Sequence, residues 1–219
     1  MKIKLYHYWR SGSSWRVRWA FELKKIHPEM IHVNLLDDET DRPEHRARNP
    51  MGYVPVLEFL DQPQNAKRSE RFLTESTAII EWADELYPTP SLLPGDAKKK
   101  AQLRRLSELV NSGIQPLQNP PVTGAVSKDE DVRKAWSQKW VRNGLTAYTE
   151  WAQDTAGLYS VGDQITMPDL FLIPQCYAAL RFDIDLEKEF PLIAQIYSNA
   201  LKTEACQASH PDRYKPEGF

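Results

Sequence analysis

Strand-type patterning is confined to the first third of this chain, and that asymmetry restricts the fold more than any other feature. Residues 2–8 alternate apolar and polar side chains, as a half-buried strand does. A helical pattern follows, with Trp15, Val17, Trp19, Ala20 and Leu23 set among charged residues. Residues 31–36 predict a second strand and 37–49 a loop with a short helix. Residues 54–59 predict a third strand, entered through Pro55. A polar loop over 61–70 then leads to a short fourth strand at 71–73. Residues 76–87 predict a helix with Ile79, Ile80, Ala83 and Leu86 on one face. The order βαβ then ββα calls for one parallel and one antiparallel pairing, hence a mixed four-stranded sheet with helices against it. From about residue 96 the strand signal vanishes. Residues 97–118, 129–156, 167–181 and 189–203 all carry helical periodicity. The proline-rich run Tyr87-Pro88-Thr89-Pro90-Ser91-Leu92-Leu93-Pro94-Gly95 separates the two regimes. The expected division is an α/β domain over 1–87, a linker over 88–95 and an all-α domain over 96–219.

Charge and cysteine usage narrow the function classes. The formal net charge is −2 and no basic stripe is present, so nucleic acid is not an expected partner. No run approaches the roughly 20 apolar residues of a membrane span, and the first residues lack the apolar stretch of a secretory signal. The two cysteines, Cys176 and Cys206, lie far apart and outside any metal-ligand spacing. No disulfide framework or zinc site is therefore expected, and a reducing cytoplasm is the expected compartment.

Three junctions in the first domain carry polar groups suited to a ligand. Ser11-Gly12-Ser13-Ser14 stands where a strand hands over to a helix. Such residues cap helices, and free N–H groups at a helix start also favour an anion. A thiolate is such an anion, and a serine hydroxyl donating to sulfur would lower the thiol pKa. Val54-Pro55 opens a strand. A cis bond there would turn the Val54 N–H and C=O toward a peptide-like ligand, which could pair as a short extra strand. Glu75-Ser76 marks another strand-to-helix junction, read either as a cap or as a pocket for a carboxylate, held by the hydroxyl and the N–H groups of the helix start. In the second domain, Thr166-Met167-Pro168-Asp169 reads as a structural helix start, with Thr166 and Asp169 sharing hydrogen bonds and Ile165 and Leu170 stapling the turn.

Taken in order, Ser11-x-x-x-Trp15-Arg16-Val17-Arg18, Asn49-Pro50-Met51-Gly52-Tyr53-Val54-Pro55 and Glu75-Ser76-x-Ala78-Ile79-Ile80-Glu81 resemble a thioredoxin-like glutathione-binding domain. Gly113-Ile114-Gln115-Pro116-Leu117-Gln118-Asn119, Thr155-Ala156-Gly157-Leu158-Tyr159-Ser160-Val161-Gly162-Asp163 and Ser209-His210-Pro211 extend the likeness over nearly the whole chain. Together they resemble the zeta class of glutathione transferases, which includes maleylacetoacetate isomerases. The resemblance implies the glutathione transferase fold, glutathione as cofactor, a small-molecule substrate and a homodimer. It implies that Ser11 and Ser13 stand at the catalytic position, with Ser11 holding the glutathione thiolate beside Gly12 and Ser14. Val54 would pair with the cysteinyl part, and Glu75 and Ser76 would hold the γ-glutamyl end. Gln115 and Asn119 would also contact glutathione. Arg181 would meet a substrate carboxylate, and Arg10 could stabilise developing negative charge; Arg181 could equally be an ion-pair partner of Asp183 or Asp185.

The likeness has departures. Where the zeta pattern is Ser-Ser-Cys-x-Trp, this chain has Ser11-Gly12-Ser13-Ser14-Trp15, so the site carries no reactive thiol of its own. The 61–70 loop is longer than usual. The implied reaction is isomerisation of a maleyl-type dicarboxylic keto acid, as in tyrosine and phenylalanine breakdown. Conjugation or dehalogenation of small α-halo acids and a non-catalytic interaction module are the alternatives.

Overall fold

A computed structural model describes residues 1–63 and 65–218; Gln64, within the expected 61–70 loop, and Phe219 lie outside the described residues. The chain forms two compact units. The first comprises Met1–Pro90 together with the segment from Glu204 onward, and the second Ser91–Thr203. The expected all-α domain runs over 96–219. The last segment instead packs with the first unit, where Cys206 and Ser209 are buried.

In the first unit the order is β1 (Ile3–His7), α1 (Gly12–Lys24), β2 (Glu29–His32), α2 (Pro43–Arg48), β3 (Val56–Phe59), α3 (Arg68–Arg71), β4 (Phe72–Thr74), α4 (Ser76–Leu86) and, after the second unit, α11 (Glu204–Ser209). The sheet order is β2-β1-β3-β4. β1 pairs in parallel with β2, Tyr6 opposite Ile31, and antiparallel with β3, Tyr6 opposite Val56. β3 pairs antiparallel with β4, Val56 opposite Thr74. This is the mixed sheet that the βαβ–ββα order requires. The second strand ends earlier than its apolar run, because the Asn34 side chain accepts the Leu36 N–H and starts a 3-10 turn over Leu35–Asp37.

Helix α1 shows no polar face. Ser14 through Phe21 are all buried, Arg16 and Arg18 included. It packs against α4 and α11, and the tryptophans at 15 and 19 are core residues. Lys24, at its end, donates to Asp84 Oδ1 at 2.6 Å and to the Tyr87 carbonyl at 2.7 Å, and also to the Pro90 carbonyl. One buried ammonium thereby fixes the start of the proline-rich segment.

The second unit contains α5 (Ala97–Asn111), α6 (Pro120–Val126), α7 (Glu130–Ala152), α8 (Met167–Arg181), α9 (Leu186–Glu189) and α10 (Pro191–Leu201). Its core joins Leu103, Leu106 and Val110 of α5 to Val141, Leu145 and Tyr148 of α7 and to the fully buried face of α8. No helix among the described residues is long and apolar enough to cross a membrane.

Candidate active site

The sheet register places three junctions at one edge. β1 runs toward Tyr8, β3 starts just after Val54-Pro55, and β4 ends at Thr74, opposite Val56. Ser11, Val54, Glu75 and Ser76 therefore all leave the sheet at the same end, where α1 and α4 both begin.

Ser11 is the N-cap of α1. Its Oγ accepts the Ser14 N–H at 3.2 Å, and its own N–H donates to the Tyr8 carbonyl at 3.1 Å. A hydroxyl that accepts one bond keeps its proton to donate elsewhere. The amides of Gly12 and Ser13, in the first turn, have no acceptor among the described residues. Ser11, Gly12 and Ser13 are half-buried. The edge thus offers a hydroxyl donor and two backbone donors at the positive end of a 13-residue helix. Ser14 differs. It is fully buried, its Oγ accepts the Tyr8 N–H at 3.4 Å, and its N–H is used by Ser11. Both groups face the scaffold, and with the whole residue buried the expected ligand contact at Ser14 has no exposed group to use.

The Val54–Pro55 peptide bond is cis. Neither the N–H nor the C=O of Val54 has a backbone partner among the described residues. The approach to it is built by Asn49, whose Nδ2 donates to the Tyr53 carbonyl at 3.1 Å while its Oδ1 accepts the Met51 N–H at 3.1 Å. Gly52 makes this turn at φ +68°, where a Cβ would lie 2.6 Å from the Arg46 guanidinium carbon.

Glu75 has φ +68° and ψ 117°, a conformation that costs a non-glycine residue on the order of 1–3 kcal/mol. β4 holds it on one side, and on the other the first turn of α4, where Ile79 N–H bonds its carbonyl at 3.0 Å. Its carboxylate is thrown outward and exposed, while Ser76 is buried and accepts Arg16 Nη1 at 3.2 Å. Arg16 was not foreseen as a site-supporting residue. The signal was present, since two arginines two positions apart in one helix must point to opposite sides of it. Arg16 reaches the start of α4. Arg18 reaches the end of β1, where it donates to His7 Nδ1 and to the carbonyls of Tyr8, Trp9 and Ser209. Arg10, half-buried beside Ser11, has its guanidinium carbon 5.4 Å from the centre of the Trp9 ring.

In the second unit Gln115 and Asn119 flank one 3-10 turn, with Gln115 Nε2 3.5 Å from Asn119 Oδ1. That turn is seated by Trp136, whose indole N–H donates to the Leu117 carbonyl at 2.9 Å. Gln118 and the buried Gln175 exchange two amide hydrogen bonds, at 2.8 and 3.2 Å. Arg181 is exposed in the last turn of α8. Of its two candidate ion-pair partners, Asp183 pairs with Lys134, and Asp185 caps α9 by accepting the Lys188 N–H at 3.0 Å. Thr166 and Asp169 form the expected capping box, buried within the unit. Both cysteines are buried and their thiols are pushed up by burial, Cys206 to about 12. Neither resembles a nucleophile. Among the described residues no cluster of His, Cys, Asp and Glu could hold a metal ion.

Residues 5–91, which carry the Ser11 N-cap, the cis Val54–Pro55 bond and the Glu75-Ser76 junction, match the family model for the glutathione S-transferase N-terminal domain. The chain is 40% identical over 211 residues to a maleylacetoacetate isomerase of Mus musculus, covering 95% of this chain and 92% of that one. Among solved structures it resembles the maleylacetoacetate isomerase of Anaeromyxobacter dehalogenans with glutathione bound in its active site. That likeness has a TM-score of 0.87 and 39% identity, over 100% of this chain and 98% of the other. A holo maleylpyruvate isomerase, described as a bacterial zeta-class glutathione S-transferase, also gives a TM-score of 0.87, at 34% identity over 99% and 100% of the two chains. The chain belongs to the zeta-class glutathione transferase family, that of the maleylacetoacetate isomerases, and has its fold.

Proposed function

We propose that this chain is a glutathione-dependent cis–trans isomerase of maleyl-type dicarboxylic keto acids such as maleylacetoacetate. The observation that carries the reading is the first turn of α1, where the Ser11 hydroxyl keeps its proton to donate and the Gly12 and Ser13 amides are free. Glutathione supplies, when bound, a thiolate that adds to the conjugated double bond, allows rotation and departs unchanged. The residues of this chain hold and orient. Ser11 Oγ donates toward sulfur, and the helix start adds positive potential, so the ionised form is favoured. The Val54 backbone offers one donor and one acceptor to an extended peptide, as an added strand would use. Glu75 presents a carboxylate to an ammonium group, and Ser76 a hydroxyl to a carboxylate. Arg10, next to Ser11 in the chain, would stabilise negative charge that develops on the substrate. Gln115, Asn119 and Arg181 enter this reading by resemblance alone. So do assembly as a homodimer, a cytoplasmic setting and a place in tyrosine and phenylalanine breakdown.

The test mixes purified protein with glutathione and maleylacetone and follows substrate and free thiol together. The expected result is substrate loss with thiol unchanged, and a fall in kcat on the order of 10²-fold in Ser11→Ala. Thiol loss matching substrate loss would replace isomerisation by conjugation.

A further inference from the structure

Helix α1 carries a buried charge that the proposed chemistry does not use. Arg18 is 2% exposed, and no carboxylate pairs with it among the described residues. Its donors go instead to the turn that precedes Ser11 and to the end of the chain. Nη1 donates to His7 Nδ1 at 3.1 Å and to the Tyr8 carbonyl at 3.4 Å. Nη2 donates to the Trp9 carbonyl at 3.0 Å, and Nε to the Ser209 carbonyl at 3.2 Å. The Tyr8 carbonyl also accepts the Ser11 N–H. The guanidinium therefore holds two successive carbonyls of the chain leading to Ser11. The far anchor is itself pinned. Trp15 Nε1 donates to Ser209 Oγ at 3.1 Å, that hydroxyl donates to the Cys206 carbonyl at 3.0 Å, and the His210 ring packs edge-on to Trp15 at 4.9 Å. The Tyr214 ring lies 4.6 Å from the guanidinium carbon.

A planar fork with fixed donor directions transmits position in a way a single ammonium cannot. A serine that must meet sulfur at hydrogen-bond distance is sensitive to its placement, since a displacement of about 1 Å in a catalytic group can cost roughly 10²-fold. We propose that Arg18 is a positioning residue for the Ser11 hydroxyl, with the Ser209 segment near the end of the chain as its anchor. The proposal rests on the reading of Ser11 as the thiolate-holding group.

The experiment measures the pKa of glutathione bound to the protein by ultraviolet thiolate absorbance against pH. It compares the parent with Ser11→Ala, Arg18→Lys and Ser209→Ala, each checked for folding by thermal melt. Arg18→Lys keeps the charge and loses the fork. Its bound thiol pKa is expected to rise by about one unit, a tenfold loss of thiolate below that pKa. Ser209→Ala frees the anchor from Trp15 and Cys206 and should give a smaller rise in the same direction. The acid limb of the kcat/KM profile should move with the thiol pKa in both variants. Parent-like thiol pKa values in folded Arg18→Lys and Ser209→Ala, beside a raised value in Ser11→Ala, would overturn the positioning role and leave the Ser11 reading intact. A parent-like value in Ser11→Ala would overturn that reading, and this proposal with it. Should Arg18→Lys fail to fold, Ser209→Ala decides by the same criterion.

Discussion

His7 ends β1 in the interior, with Arg18, His32 and the Tyr214 ring around it. A guanidinium can only donate, so His7 Nδ1 is an acceptor and carries no proton. Protonating it would break that bond and set two cations side by side. Burial first, then the charges of Arg18 and His32, hold its pKa down at about 3, against 6.5 for a free histidine. The folded protein therefore keeps His7 neutral over a range in which the unfolded chain takes up a proton. Stability present above pH 6.5 is lost as pH falls toward 3, at up to about 1.4 kcal/mol per pH unit for one proton. Urea midpoints taken at neutral and mildly acidic pH should fall accordingly. His7→Asn, whose amide oxygen can accept from Arg18, should flatten the fall. It should not abolish it, because burial also lowers His32, His45 and His210. An unchanged slope in the variant would mean that His7 is not the group responsible.

The start of α8 shows what a sequence can and cannot tell at the scale of one element. Thr166, Pro168 and Asp169 announce a helix start by spacing alone, and the helix spans the residues its periodicity marks out. The Asp169 carboxylate accepts the Thr166 N–H at 2.8 Å and the Thr166 hydroxyl at 3.2 Å, as that spacing implies. It also accepts the Ser160 N–H at 2.8 Å, a bond from nine residues upstream that no local pattern encodes. Asp169→Ala would leave two buried N–H groups without an acceptor, at about 1–3 kcal/mol each. The expected cost is therefore roughly 3 kcal/mol, above the ~1 kcal/mol of an ordinary cap, and a thermal midpoint lower by roughly 10 °C. Calorimetry of the variant would show it, and a drop of only a degree or two would mean that water replaces the carboxylate. Other elements escaped for comparable reasons. Residues 119–128 fall outside the helical periodicity, yet prolines in a first turn cost no hydrogen bond, and α6 begins at Pro120. The candidate site was legible at the strand-to-helix junctions of Ser11 and Glu75 and at the opening of β3 beside Val54. It was not legible in Ser14, whose hydroxyl turns inward, nor in Arg16 and Arg18, whose partners lie far along the chain.

At the scale of the molecule, the chain leaves its first unit at Pro90 and returns to it from Glu204. A sequence divided at a proline-rich linker suggests two consecutive domains, and nothing local in residues 204–218 contradicts it. The return becomes visible only through contacts made over more than 190 positions, Trp15 to Ser209 and Arg18 to Ser209. These are costly to lose. Without the segment, the indole N–H of Trp15 and the Nε–H of the buried Arg18 would lose their Ser209 acceptors, at about 1–3 kcal/mol each and more for the charged group. The buried surface of Cys206 and Pro211 would be lost as well. The total is on the order of 5 kcal/mol, comparable to the entire stability of many small domains. Deleting residues 204–219 from the full chain should therefore unfold the first unit selectively. The expected signature is loss of near-ultraviolet dichroism from Trp15 and Trp19, loss of glutathione binding, and retention of most helical signal from the second unit. A truncated chain that still binds glutathione with parent affinity would show that residues 1–90 close their core without the returning segment.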